Sequence, residues 1–168
     1  MGVYLKRSKV RSVLRKAAKS RRAKAKAPAL PKKGMNANEA RFNRQILGGE
    51  GLYEIASFDL TRVKGRKYTP DFSFRNRKGE ARIAIIEVKG SYKLYSEDRA
   101  RLAWEIVAER VPGVVEGAKV VFVWARFSRG GYDCEAWYDC GRVILKRRVT
   151  SREEFDRLLQ DAVNDGGF

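Results

Sequence analysis

The chain is 168 residues long, 43% hydrophobic and 34% charged, with a formal net charge of +17. That length suits one domain with one core, and a charge of that size points to a polyanionic partner, because Lys and Arg seated on phosphates release condensed counterions. The sequence holds no histidine, which excludes Ser-His-Asp and Cys-His catalysis, His-ligated zinc and any hydrolytic site built on a His base.

Of the 37 basic residues, 13 fall in residues 1–33, which contain no acid; the other 24 share residues 34–168 with all 20 acids. The sequence therefore divides into a basic arm over residues 1–34 and a near-balanced domain over residues 35–168. Val10, Val13, Leu14 and Ala17 keep helical spacing within the arm, but repelling charges flank this thin stripe. The expectation is an arm that is disordered alone and ordered on its partner. Its candidate contacts to a nucleic-acid backbone are Lys6, Arg7, Lys9, Arg11, Arg15, Lys16, Lys19, Arg21, Arg22, Lys24, Lys26, Lys32 and Lys33. An Arg-rich, acid-free leader is also the pattern of an organelle transit peptide, while an apolar secretory core is missing. No apolar run approaches the roughly 18 residues a membrane helix needs.

Pro28 and Pro31 punctuate the passage into the domain. The stretch from Asn36 to Leu47 predicts a short helix, with Asn36 as its cap and Phe42, Ile46 and Leu47 facing inward. Gly48, Gly49 and Gly51 end it. Three strand-like runs follow, Leu52 to Val63, Lys67 to Phe74 and Ala81 to Val88, separated by Lys64-Gly65 and by Asn76 to Gly79. The continuously apolar Ile83-Ala84-Ile85-Ile86 is the pattern of a central strand covered on both faces. Ser96 to Val111 predicts a second helix, capped by Ser96, with Glu97 and Asp98 in its first turn and Leu102, Ile106 and Val107 inward. Pro112-Gly113 stops it. Lys119 to Ala125 predicts another buried strand, Tyr132 to Tyr138 with Arg142 to Arg148 a hairpin, and Ser151 to Val163 a terminal helix. Cys134 and Cys140 are too few for a zinc site without histidine and read as ordinary strand or turn residues, a disulfide or redox role being the alternative.

The chemistry concentrates in the three strand-like runs. Residues two apart on a strand share a face, so Glu87 and Lys89 point the same way at the end of an apolar strand, where two charges are costly. If the runs holding Asp71 and Glu87 are neighbours, about 4.8 Å apart, the two carboxylates come side by side. Paired hard oxygens suit Mg²⁺, which takes few protein ligands and keeps several waters. Lys89 then stands beside the ion, placed to orient or deprotonate an attacking water or to stabilise a pentavalent phosphate. Glu39, on the preceding helix, would complete the ligand set or hold a second ion. Taken singly, each of these features has a plain reading: a solvated ion pair, a Pro-Asp turn, a helix-surface acid.

Asp71-x15-Glu87-x-Lys89 resembles the PD-(D/E)xK motif of the nuclease superfamily built on the restriction-endonuclease-like αβββαβ core, an α/β fold with a mixed central sheet flanked by helices. The fuller text, Tyr68-Thr69-Pro70-Asp71-Phe72, then Glu87-Val88-Lys89-Gly90, then Asp98-Arg99, is similar to the phage endonuclease I family of Holliday-junction resolvases over roughly residues 36–125. The resemblance implies a Mg²⁺-dependent endodeoxyribonuclease, with Mn²⁺ able to substitute, that hydrolyses phosphodiesters of branched DNA in phage recombination or replication. It further implies metal ligation by Asp71, Glu87 and the Val88 carbonyl, a catalytic Lys89, Glu39 as the helix acid, a homodimer, and a cytoplasmic setting in an infected bacterial host. A less selective nickase or restriction-like endonuclease is the alternative among enzymes. A basic nucleic-acid-binding protein without activity is the alternative outside them. The arm and the chain beyond about residue 126 have no counterpart in that family pattern.

Overall fold

A computed structural model describes residues 34–60, 66–76, 82–92 and 96–165. The basic arm and its candidate contacts, the 61–65 and 77–81 connections, residues 93–95 and residues 166–168 lie outside the described residues. The described chain is an α/β structure of three layers, a mixed sheet with helices on both faces.

The first helix, α1 (Ala37–Gln45), starts where the sequence places its cap. Asn36 is extended, and its side-chain oxygen accepts from the amides of Asn38 and Glu39 at 2.9 and 3.0 Å. The Glu39 carboxylate returns to the Asn36 amide at 3.0 Å and closes a capping box. Phe42, Ile46 and Leu47 are fully buried, as their spacing predicts.

The next two predicted strands are each broken in two. Leu52–Tyr53 (β1) pairs antiparallel with Phe72–Asn76 (β4) in the main sheet, whereas Phe58–Asp59 (β2) and Lys67–Tyr68 (β3) form a separate ribbon. Glu54, at φ 45°, turns the chain out of β1 in the left-handed region, which a strand cannot continue through. Between β3 and β4, Pro70 has no amide to donate to a ladder, and the chain changes sheets there. Arg82–Lys89 (β5) lies antiparallel to β4, with Phe72 opposite Ile86 and Asn76 opposite Arg82.

Helix α2 (Glu97–Ala108) then crosses to Ala118–Ser128 (β7), which runs parallel to β5 with Glu87 opposite Trp124 and Lys89 opposite Arg126. Val114–Val115 (β6) folds onto the start of β7. Gly131–Tyr138 (β8) and Val143–Val149 (β9) continue the sheet antiparallel, and α3 (Arg152–Asn164) closes the fold with Ser151 capping it. The order across the sheet is β1-β4-β5-β7-β8-β9.

Two expectations for α2 fail. Ser96 already has helical backbone angles and makes no side-chain capping bond, because a cap needs the extended conformation it lacks. Leu102 is exposed and Ile106 only partly covered, since the bulkier Trp104, with Val107 and Ala108, takes the buried face.

Side chains of β5 alternate between two cores. Ala84, Ile86 and Val88 face α1 and α3, packing with Phe42, Phe72, Tyr132 and Phe155. Ile83 and Ile85 face α2, with Phe122, Trp124 and Trp104. Among the described residues no helix is long and apolar enough to cross a membrane. Cys134 is buried in β8 and Cys140 lies in the β8–β9 turn; both are free thiols, and burial raises the pKa of each.

Phe42 fastens α1 to the rest. Its ring centroid lies 4.8 Å from that of Tyr132, 5.8 Å from Phe155 and 6.4 Å from Phe72, so one side chain joins the helix to three elements. Phe42→Ala should cost about 3–5 kcal/mol in urea unfolding, the range for emptying a buried aromatic site. A loss under about 1 kcal/mol would mean that α1 is held by something other than this ring.

Candidate active site

The β4–β5 register decides where the acids fall. Phe72 opposite Ile86 carries Asp71 to the level of Glu87, just where β4 begins and β5 nears its end. Asp71 Oδ2 accepts the Val88 amide at 2.7 Å, which ties the loop before β4 to the neighbouring strand. The Asp71 carbonyl in turn accepts from the Glu54 amide at 2.9 Å. Period-two alternation then puts Glu87 and Lys89 together on the α2 face, in line with Ile83 and Ile85.

Glu87 is 5% exposed, and both of its carboxylate oxygens are engaged. Lys89 Nζ lies 2.6 Å from Oε1, and the buried Tyr68 hydroxyl donates to Oε2 at 2.7 Å. Lys89 also stands over the Trp124 ring, 5.4 Å from its centroid, which shields one side of the ammonium. Burial and the Glu87 charge together hold the Tyr68 phenol well above its usual pKa, so it remains a donor.

Asp71 is the perturbed acid. Burial and, next, the negative charge of Glu87 push its pKa from 3.8 up to about 8, with Glu39 adding to the rise; the Val88 amide and Lys89 pull the other way. Two carboxylates in one poorly solvated site cannot both ionise freely without further positive charge. This unmet demand is what a divalent cation satisfies, and hard carboxylate oxygens from adjacent strands are the donors Mg²⁺ accepts.

Glu39 arrives from the other layer. The N-terminal turn of α1 sits against the end of β5, where a Cβ on Gly90 would come within 2.8 Å of Asn38 Nδ2. Glu39 is 7% exposed and close enough for its charge to act on Asp71. Its oxygens, however, accept from the Asn36 amide and side chain, and its hydrogen bond also raises the Tyr53 phenol pKa, after burial. Among the described residues no group of three His, Cys, Asp or Glu side chains is drawn together as an ion cage. The structure thus unites Asp71, Glu87 and Lys89, with Glu39 alongside and committed to its cap. Val88 donates its backbone N–H to the Asp71 carboxylate.

Two members of this site carried no role in the sequence reading. Tyr68 stood inside the quoted Tyr-Thr-Pro-Asp-Phe run, but nothing local says that its hydroxyl reaches across to β5. Trp124 looked like core, and it is core; only the parallel register places its ring under Lys89. Comparison with family models, with curated proteins and with solved structures yields no match.

The raised pKa of Asp71 has a direct thermodynamic consequence. The folded chain holds this proton more tightly than the unfolded one, so its contribution to stability is complete below pH 3.8 and is lost as pH rises to about 8. Asp71→Asn keeps an oxygen for the Val88 amide and removes the charge. In EDTA, its melting temperature should gain on the wild type between roughly pH 4 and pH 8 and then level off. A gap that narrows with pH over that window would mean that Asp71 is not forced into a repulsive site.

Proposed function

We propose that the chain is a metal-dependent DNA endonuclease whose working site is Asp71, Glu87 and Lys89, assisted by Glu39. The observation that carries this reading is the convergence of Asp71 and Glu87 at one end of the sheet, with Lys89 bonded to Glu87, in a chain of net charge +17. A protein that only binds phosphate backbones gains nothing from burying two acids that repel them. The mixed sheet, with β4, β5 and β7 bearing the site and α2 crossing between β5 and β7, is compatible with a restriction-endonuclease-like core and supports the resemblance in the motif.

Asp71 and Glu87 would hold Mg²⁺ or Mn²⁺, with the Val88 carbonyl and Glu39 as further candidates. The bound ion would supply Lewis-acid stabilisation of the phosphate charge and a lowered pKa for a coordinated water. The chain's own contribution lies in placement. Tyr68 fixes the rotation of the Glu87 carboxylate through Oε2. Lys89 uses one of its three N–H groups on Oε1 and keeps two for a phosphate oxygen or for the attacking water. Trp124 beneath it limits access of bulk water and strengthens the local electrostatics. The leading substrate is branched DNA such as a four-way junction, cut by a homodimer with one site for each strand, in a phage-infected bacterial cytoplasm; unbranched DNA is the alternative.

Asp71→Asn and Glu87→Gln should abolish cutting of four-way-junction, nicked and linear DNA in Mg²⁺ while leaving DNA binding intact or tighter. Lys89→Ala should lower turnover about a hundredfold or more, the scale of a positioned acid–base or electrostatic group. Carboxylate variants that cut within about twofold of wild type would overturn the assignment.

Glu39→Gln separates the two duties of that residue. A glutamine can still accept the Asn36 amide in the capping box, so the melting temperature should hold. The loss of charge beside Asp71 should nonetheless cut the rate at least tenfold, a scale typical of site electrostatics. An unchanged rate with an unchanged melting temperature would make Glu39 a cap and nothing more.

A further inference from the structure

The hairpin joining β7 to β8 overruns the site. β5 ends at Lys89, opposite Arg126, but β7 continues to Ser128 and turns through Arg129 and Gly130 at φ 45° and 79°. Two consecutive positive φ values match the tight two-residue turn whose twist suits a β-hairpin. Its tip is braced from two sides. Arg148 Nη2, on β9, donates to the carbonyls of Ser128 and Arg129 at 2.8 and 2.7 Å. The Arg41 guanidinium, from α1, stacks 4.6 Å from the centroid of Phe127. A braced prong bearing Arg129 therefore projects past the end of β5, one strand over from Lys89.

The sheet register extends this into a line. Lys89 lies opposite Arg126, Arg126 opposite Asp133, and Asp133 opposite Arg148, so one rung runs from the proposed catalytic lysine to the edge strand. On the same face is an open cleft of about 440 Å³, floored by Trp124 and walled by Arg101, Arg126, Lys146 and Arg148. Three strand spacings span about 14 Å.

Acids in and around this cleft act as props. Asp133 holds Arg148 at 3.4 Å, Glu135 holds Lys146 at 3.6 Å and Arg101 at 2.6 Å, and Glu97 holds Arg126. The long Lys146 contact leaves donors free, and Lys146 is 74% exposed, whereas Arg148 commits its Nη2 to the carbonyls of the tip. Arg129 is exposed and has no acidic partner among the described residues. Arg129 and Lys146 thus present exposed cations on this side of the sheet, with Arg148 anchoring the tip beside them.

We propose that this rung and the hairpin tip form a phosphate track, along which one nucleic-acid strand runs from the Asp71–Glu87 pair across β7 and β8 to β9. The inference rests on the nuclease reading only for what lies at the start of the track. It assigns backbone contacts to the domain in addition to those expected of the arm, and it directs the strand toward β9 rather than toward β1.

The test is binding of the full-length chain to labelled four-way-junction and duplex DNA across a salt series, in EDTA so that no cutting occurs. Two variants lose the same charge: R129Q/K146Q/R148Q on the track, and R110Q/R142Q/R157Q away from it. The track variant should bind at least tenfold more weakly at about 0.1 M salt, and its slope of log K against log salt should fall by about 2–3, at about 0.9 per lost contact. The distal variant should leave the slope unchanged. If Arg148 proves necessary for folding, R129Q/K146Q removes two exposed side chains instead and should lower the slope by about 2. Equal losses from track and distal variants would overturn the proposal, leaving only diffuse attraction. Cutting is assayed separately in Mg²⁺: a chain that never cuts DNA yet shows the selective loss would keep the track and lose the nuclease reading, and normal cutting with no selective loss would do the reverse.

Discussion

Two carboxylates held side by side where water is scarce repel each other, and the end of the sheet is organised around that repulsion. Glu87 has its charge met from both sides, by Lys89 on one oxygen and by Tyr68 on the other. Asp71 receives a single backbone amide, which is too little, and its pKa climbs to about 8. The chain could have relieved this by placing a second cation over Asp71. Instead it sets a third acid, Glu39, nearby, which makes the repulsion worse. In the proposed reading a divalent cation would relieve this concentration of negative charge.

Several local features of the fold acquire a purpose from this constraint. The break at Pro70 lets β3 leave the ladder, so that Tyr68 packs in the α2-side core and reaches Glu87 while Asp71 begins the next strand. Gly90 is bare of a side chain because the N-terminal turn of α1 rests there. The capping box holds Glu39 at that turn without using the hydrophobic core for the purpose, and Phe42, one turn further on, supplies the attachment. The site thus sits at the carboxyl end of the parallel pair β5 and β7, the place where α/β sheets commonly open to ligands.

Much of this could be read in the residues, for reasons that differ by element. Asn36 with Glu39 three positions on is a capping signature, and the cap forms with both bonds. The run Ile83 to Ile86 lacks alternation because both faces of β5 are covered, and that in turn made Glu87 and Lys89 conspicuous. Strand boundaries were less legible. Leu52 to Val63 and Lys67 to Phe74 each look continuous in composition, yet one positive φ at Glu54 and one missing amide at Pro70 send their halves to different sheets. The α2 stripe misled because Leu102, Ile106 and Val107 keep helical spacing as well as Trp104, Val107 and Ala108 do. Only the packing partners, Trp124 and Trp137, select the second set. Tyr68, Trp124 and the Lys89–Arg126–Arg148 line are products of cross-strand register, which has no local signature.

Lys89 links the two charge systems of the molecule. Toward β4 it faces the acids and makes a short bond to Glu87. Toward β7 it stands opposite Arg126, from which the rung continues through Asp133 to Arg148 at the edge of the sheet. In the proposed reading these are one device. The acids repel a phosphate backbone everywhere except where positive charge answers them, and the line of arginines attracts it along a single direction. Lys89 lies where the two fields meet, so a backbone drawn in along β9, β8 and β7 is delivered to the acids at the one point where an ammonium group precedes them. In that reading the attraction of a basic chain for polyanions becomes directional at the domain through strand register.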